Sequence, residues 1–213
     1  MVALKMNPPE LQQNAVVEIG VATRALAGQS VSGDVYVVCS FEDGVLLAVI
    51  DGSGHGAEAT VAATAAANVL EQHAHESVIR LAQRCHEALL PTRGAAMTLV
   101  SVHATHNTFE WLGVGNVEGF HFRADTAAAH PTAVLLRGGI VGYQMPPLRA
   151  TVATIARGDA LVLATDGIRS DFSVSVNLND SPQRIATCVL TRHLKGTDDG
   201  LVLVARYRGG DDE

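Results

Sequence analysis

The sequence predicts an α+β fold: two mainly antiparallel sheets packed together, with helices on their outer faces. Strand-like runs crowd the chain with only short breaks between them, too short for the dozen or so residues that a parallel crossover needs. Helical stretches cluster, two after residue 56 and one near residue 181, so they do not alternate with strands as a parallel βαβ sheet requires. The composition supplies a core: 47% of the 213 residues are hydrophobic while only 4% are aromatic, which makes the interior aliphatic.

After a polar, Pro-containing lead (residues 1–14), residues 16–23 are rich in β-branched side chains and form the first expected strand. Strands over 34–41 and 45–50 follow, joined through Glu42, Asp43 and Gly44, whose chemistry suits a hairpin. From 57 to 73 the chain is dominated by Ala and lacks Gly and Pro, and a second helical stretch spans 77–90 until Pro91 stops it. Further strands are expected at 97–104, 108–114, 117–122, 133–137, 151–155 and 160–165. A helix over 181–193 opens with Ser181 as N-cap and Pro182 in its first turn. Residues 201–207 return as a final strand, and 209–213 form a polar tail. Neither an internal repeat nor a linker interrupts this order, so residues 1–213 are read as one domain.

Charge narrows the function classes. With 22 acidic and 15 basic residues the net charge is −7, the wrong sign for a broad phosphate-neutralising face, and the basic residues are scattered from Arg24 to Arg208. Nucleic acid is therefore disfavoured as a partner. Cys39, Cys85 and Cys188 lie far apart without metal-ligand spacing and read as buried reduced thiols. The N-terminus lacks the pattern of a signal peptide, and no stretch approaches the ~18 apolar residues of a membrane span, so a cytoplasmic protein without a membrane anchor is expected.

The chemistry concentrates at strand ends. Val45–Gly56 is an apolar strand that ends in Asp51 and passes through Gly52, Gly54 and Gly56 into the Ala-rich helix. A carboxylate there is rigidly held, Gly52 lets its carbonyl approach an ion, and Gly54 and Gly56 permit backbone angles closed to other residues. The alternative is a plain strand-to-helix turn in which Asp51 caps the helix. A second apolar strand ends in Asp166-Gly167, while Asp198-Asp199 precedes the last strand and Asp34 opens the second. Gathered together, these carboxylates would repel one another unless cations lay among them, and all-oxygen donors favour Mg²⁺ or Mn²⁺ over zinc.

The ordered set Ser32-Gly33-Asp34, Asp51-Gly52-Ser53-Gly54-His55-Gly56, Gly94-Ala95-Ala96-Met97-Thr98, Gly115-Asn116, Asp159 with Ala164-Thr165-Asp166-Gly167, and Asp198-Asp199 resembles the PPM metal-dependent protein serine/threonine phosphatases, and within them the SpoIIE-like branch. The resemblance covers roughly residues 16–207. It implies an αββα sandwich with two Mn²⁺ or Mg²⁺ ions at one edge. On that match Asp51 bridges both ions, the Gly52 carbonyl holds one, and Asp166 and Asp198 complete the inner shell. Asp34 acts directly or through water, and Asp199 is the alternative to Asp198. Catalysis then runs through a water that these ions activate, with Asp51 and Asp166 as its principal holders.

Some family features are absent. Ser53 stands where many members have His two residues after the bridging Asp, so His55, two positions later, is read as a loop or helix-start residue. Eukaryotic-type members carry a phosphate-binding Arg shortly before the first acidic motif; here the nearest is Arg24, which leaves phosphate binding to metals, backbone N–H groups or another Arg. Asn116 replaces an acid tied to a third metal. The remaining histidines, His73, His75, His86, His103, His106, His121, His130 and His193, read as surface or structural. By resemblance, the substrates are phosphorylated STAS-domain proteins of a stressosome, or anti-anti-sigma-type proteins, and the short chain leaves regulation to partners. The competing reading is a non-catalytic phosphatase-like module that binds a phosphoprotein, against which the retained Asp34, Asp51, Asp166 and Asp198 count. The oligomeric state is not legible in the sequence.

Overall fold

The computed structural model describes residues 16–54, 56–125 and 130–209, and among these described residues eleven strands and three α-helices follow one another. The lead of residues 1–14, His55 and, except for Gly209, the tail lie outside the described residues. In chain order the elements are β1 (Val17–Arg24), β2 (Asp34–Phe41), β3 (Gly44–Gly52), α1 (Ala57–Gln72), α2 (Val78–Leu89), β4 (Ala95–His103), β5 (Thr108–Val114) and β6 (Glu118–Phe122). Then come β7 (Thr132–Ala133), β8 (Leu136–Arg137), β9 (Thr151–Thr154), β10 (Ala160–Ala164), a 3₁₀ turn (Ser170–Ser175), α3 (Pro182–His193) and β11 (Gly200–Tyr207).

One sheet has the order β1-β11-β10-β6-β7, and the other β2-β3-β4-β5-β8 with β9 also on β5. All pairings are antiparallel except β5 with β8. Strand periodicity builds the layers, because successive side chains face opposite sides. In β3, Val45, Leu47 and Val49 enter the core between the sheets, while Leu46, Ala48 and Ile50 pack under α1 and α2. In β11, Leu201, Leu203 and Ala205 face the other sheet, while Val202 and Val204 meet Ile185, Ala186 and Val189 of α3. Buried on both faces, these strands read as continuous apolar runs rather than alternating ones. The layers are therefore helix, sheet, sheet, helix, as in the expected αββα arrangement.

The helices begin where their chemistry directs. Ser77 and Ser181 each accept a hydrogen bond from the backbone N–H three residues on, at 3.5 and 3.3 Å, and Pro182 occupies the first turn of α3. The buried face of α1 is mostly alanine (Ala59, Ala62, Ala63, Ala66, Ala67), which lets it lie close to the sheet.

The single strand expected over 133–137 is instead two short pieces on different sheets. β7 pairs with β6, β8 pairs with β5, and buried Val134 marks the crossing between them. Gly113 and Gly119 leave the space: a Cβ on Gly113 would stand 2.7 Å from Leu136, and one on Gly119 would stand 3.1 Å from Val134. The cysteines differ in part from expectation. Cys85 is buried, its thiol pushed up to about 12 by burial, whereas Cys39 and Cys188 are half-buried; all three are free. No helix among the described residues is long and apolar enough to cross a membrane.

Candidate active site

Antiparallel pairing delivers the acidic residues to one edge. β2 begins with Asp34 directly opposite Asp51 near the end of β3. In the other sheet β10 ends at Ala164, just before Thr165 and Asp166, beside β11, which starts just after Asp198 and Asp199. The two edges are stitched together by Thr165. Its hydroxyl donates to Asp34 Oδ2 at 2.8 Å and accepts the Leu201 N–H at 2.9 Å, and it is fully buried.

The charges act on one another. Asp34, 8% exposed, is pushed up to about 8, first by burial and then by Asp51, Asp199 and Asp198, against the lowering effect of the Thr165 hydrogen bond. Asp51 is pushed up to about 7 by burial, Asp166, Asp198 and Asp199. Mutual repulsion among five carboxylates is what a divalent cation relieves, and the donors are all oxygen, so the residues fit Mg²⁺ or Mn²⁺. Among the described residues, no three His, Cys, Asp or Glu side chains converge tightly enough to grip an ion as they stand. Protein donors hold them instead: Asn116 Nδ2 donates to Asp166 Oδ2 at 2.7 Å, and the Asp199 N–H donates to Asp198 Oδ1 at 2.8 Å.

Geometry separates the two adjacent acids. Asp199 is buried and accepts backbone N–H bonds on both oxygens, from Leu26 at 2.7 Å and Gly33 at 2.6 Å, so it fastens the loop that leads to Asp34. Asp198 is half-buried. Gly33 and Gly52 are equally constrained. The Gly52 N–H donates to the Gly33 carbonyl, and a Cβ on Gly52 would fall 2.1 Å from the Ala59 carbonyl oxygen. The turn then passes through Gly54 and Gly56 at φ of +97° and +73°, the left-handed region the sequence anticipates.

Thr165 and Asn116 are the site residues that sequence reasoning missed as participants. The signal for Thr165 was its place beside Asp166, and for Asn116 its place where relatives carry an acid. Asp159 belongs elsewhere. It precedes β10 at the opposite end, buried with His121 at 2.8 Å and accepting the N–H groups of Ala124 and Ala156, so His121 is structural as read. His193, between Ser175 and Asp171, and His86, accepting the Gly142 N–H, are structural as well.

Comparison with known proteins agrees with this frame. The family model for stage II sporulation protein E (SpoIIE) matches residues 42–208. The phosphoserine phosphatase RsbX of Bacillus subtilis (strain 168) is 23% identical over 159 residues, covering 75% of this chain and 78% of that protein. A solved chain from work on the bacterial stressosome, described as a modular system adapted to control secondary messenger signalling, is 29% identical with a TM-score of 0.82. It covers 89% of this chain and 99% of its own. The crystal structure of RsbX with magnesium superposes at a TM-score of 0.81, 21% identical, over 92% of this chain and 97% of that one. The Mycobacterium tuberculosis serine/threonine phosphatase PstP/Ppp shares the fold at 0.71 and 15% identity, over 91% and 99%.

Proposed function

Because the chain belongs to the SpoIIE family and is a phosphatase of the PPM type, we propose that it hydrolyses phosphoserine or phosphothreonine in proteins with water activated by two Mn²⁺ or Mg²⁺ ions. The observation that carries this is the gathering of Asp34, Asp51, Asp166 and Asp198, from both sheets, at one edge. The described fold, from β1 to β11, is then one catalytic domain. The relation to RsbX and to a stressosome chain supports phosphorylated STAS-domain proteins of a bacterial stressosome or partner-switching system as the substrates. Cytoplasm is the proposed location.

Asp51 would hold both ions, with the Gly52 carbonyl, Asp166 and Asp198 as the other inner ligands. When bound, the ions supply water acidic enough to ionise near neutral pH and shield the phosphate's charge. The protein's part is placement. Asn116 occupies one oxygen of Asp166 and so fixes the direction of the other. Thr165 fixes the Asp34 carboxylate, which acts directly or through water. Asp199, each of whose oxygens accepts a backbone N–H, anchors the loop. Hydrolysis would join a water oxygen to phosphorus as the bond to the serine or threonine oxygen breaks; the electron pair would leave with that oxygen, which takes up one proton for the one the water gives up to solvent.

The test is release of phosphate from a phosphoserine protein and from p-nitrophenyl phosphate with and without Mn²⁺. Metal-dependent turnover is expected, reduced at least ~100-fold in Asp51→Asn and in Asp166→Asn with the circular dichroism unchanged. A folded wild-type protein with no metal-dependent release would leave only phosphoprotein binding, and full activity in both variants would refute the site.

A further inference from the structure

We propose that Arg93 is the residue that binds the substrate's phosphoryl group and that Glu58 holds it in place until substrate arrives. This deepens the phosphatase reading and rests on it.

Arg93 lies just before β4, whose Ala95 and Ala96 pair with Gly52 and Asp51. The Ser53 N–H donates to the Gly94 carbonyl at 3.0 Å, so the Arg93 backbone is tied to the glycine turn that follows Asp51. The side chain lies over that turn: a Cβ on Gly54 would stand 3.0 Å from Arg93 Nη1. Its Nε forms an ion pair with Glu58 Oε2 at 2.8 Å, and the two side chains are 61% and 70% exposed. An exposed guanidinium therefore lies over the glycine turn that follows Asp51, with one nitrogen engaged by a carboxylate.

That arrangement suits a phosphate dianion. The planar fork of Arg matches phosphate oxygens in pairs, and an exposed ion pair is weak enough to be exchanged for a stronger one. Glu58 occupies the guanidinium with a carboxylate, so the incoming phosphate replaces one anion with another and meets a side chain already turned toward the loop. Arg24 ends β1 opposite Gly200, on the Asp199 side of the edge, and is the alternative cation.

The experiment compares wild type, Arg93→Ala, Arg93→Lys, Glu58→Gln and Arg24→Ala in steady-state turnover of p-nitrophenyl phosphate and in inhibition by inorganic phosphate. It adds calorimetric binding of inorganic phosphate to the Mg²⁺-loaded proteins. Arg93→Ala should raise KM and the inhibition constant about tenfold while kcat changes less than about threefold, and Arg93→Lys should recover part of the loss. Glu58→Gln should lower both constants, an effect that a purely structural role at the start of α1 would not produce. Unchanged phosphate affinity in Arg93→Ala, or a loss confined to Arg24→Ala, overturns the assignment. If wild type turns nothing over, the phosphatase reading fails, and calorimetric phosphate binding still decides for or against Arg93.

Discussion

Replacing Asp34 by Asn should make the metal-free protein more stable at neutral pH and less able to be stabilised by metal. In the folded chain Asp34 holds its proton up to about 8, whereas the unfolded chain releases it near 3.8. Between those values the folded state binds more protons than the unfolded state, so stability is fully present below the lower value and is lost as pH rises through the upper one. For such a pair the loss between about pH 4 and pH 7 is roughly 4 kcal/mol, and relaxation around the side chain reduces the realised figure to about 2 kcal/mol. Asn cannot titrate, and its carbonyl oxygen can still accept the Thr165 hydroxyl. Urea unfolding followed by circular dichroism, at a series of pH values with a chelator present, should therefore show a flatter profile for the variant and a higher midpoint near pH 7. The residual slope reports Asp51, which is lifted to about 7. Saturating Mn²⁺ should reverse the order, because binding to the folded state stabilises it by an amount that grows with the logarithm of the affinity, which the variant weakens. A variant whose profile is as steep as wild type, or which is less stable near pH 7 without metal, would show that Asp34 is not a buried charge under repulsion.

Thr165→Val should cost about 2–4 kcal/mol, because it removes a bond to Asp34 and leaves the buried Leu201 N–H unpaired; denaturant unfolding measures it. Gly52→Ala should reduce metal-dependent turnover and cost about 3 kcal/mol, since a Cβ 2.1 Å from the Ala59 carbonyl forces α1 away from the sheet. Asp159→Ala should lower stability by about 3 kcal/mol through the unpaired N–H groups of Ala124 and Ala156, while kcat per folded molecule stays at the wild-type value. A loss of kcat in that variant would mean that the far end of β10 communicates with the acidic edge.

The sequence was informative where physics is local. The apolar runs of β3, β10 and β11, the alanine tract of α1, and the cap Ser181 form as read, because period, propensity and capping act over a few residues. The stretch over 133–137 was misread for the opposite reason. Its β-like composition is compatible with either sheet, and only the gaps at Gly113 and Gly119 let the chain cross between them. Within the site, Asp34, Asp51, Asp166 and Asp198 were visible as carboxylates at strand ends. Thr165 was hidden because its two partners, Asp34 and Leu201, lie 131 and 36 residues away in sequence.

By itself the sequence determined the layer architecture, the residue types of the acidic edge and the expectation of hard divalent cations, since these follow from periodicity and donor chemistry. Only the tertiary structure decided which carboxylates meet, that Asp199 rather than Asp198 spends both oxygens on the backbone, and that Arg93 lies over the glycine turn. Such relations depend on strand register and on how two sheets stack, and no short window of sequence encodes a distance between chains of residues that fold from opposite ends.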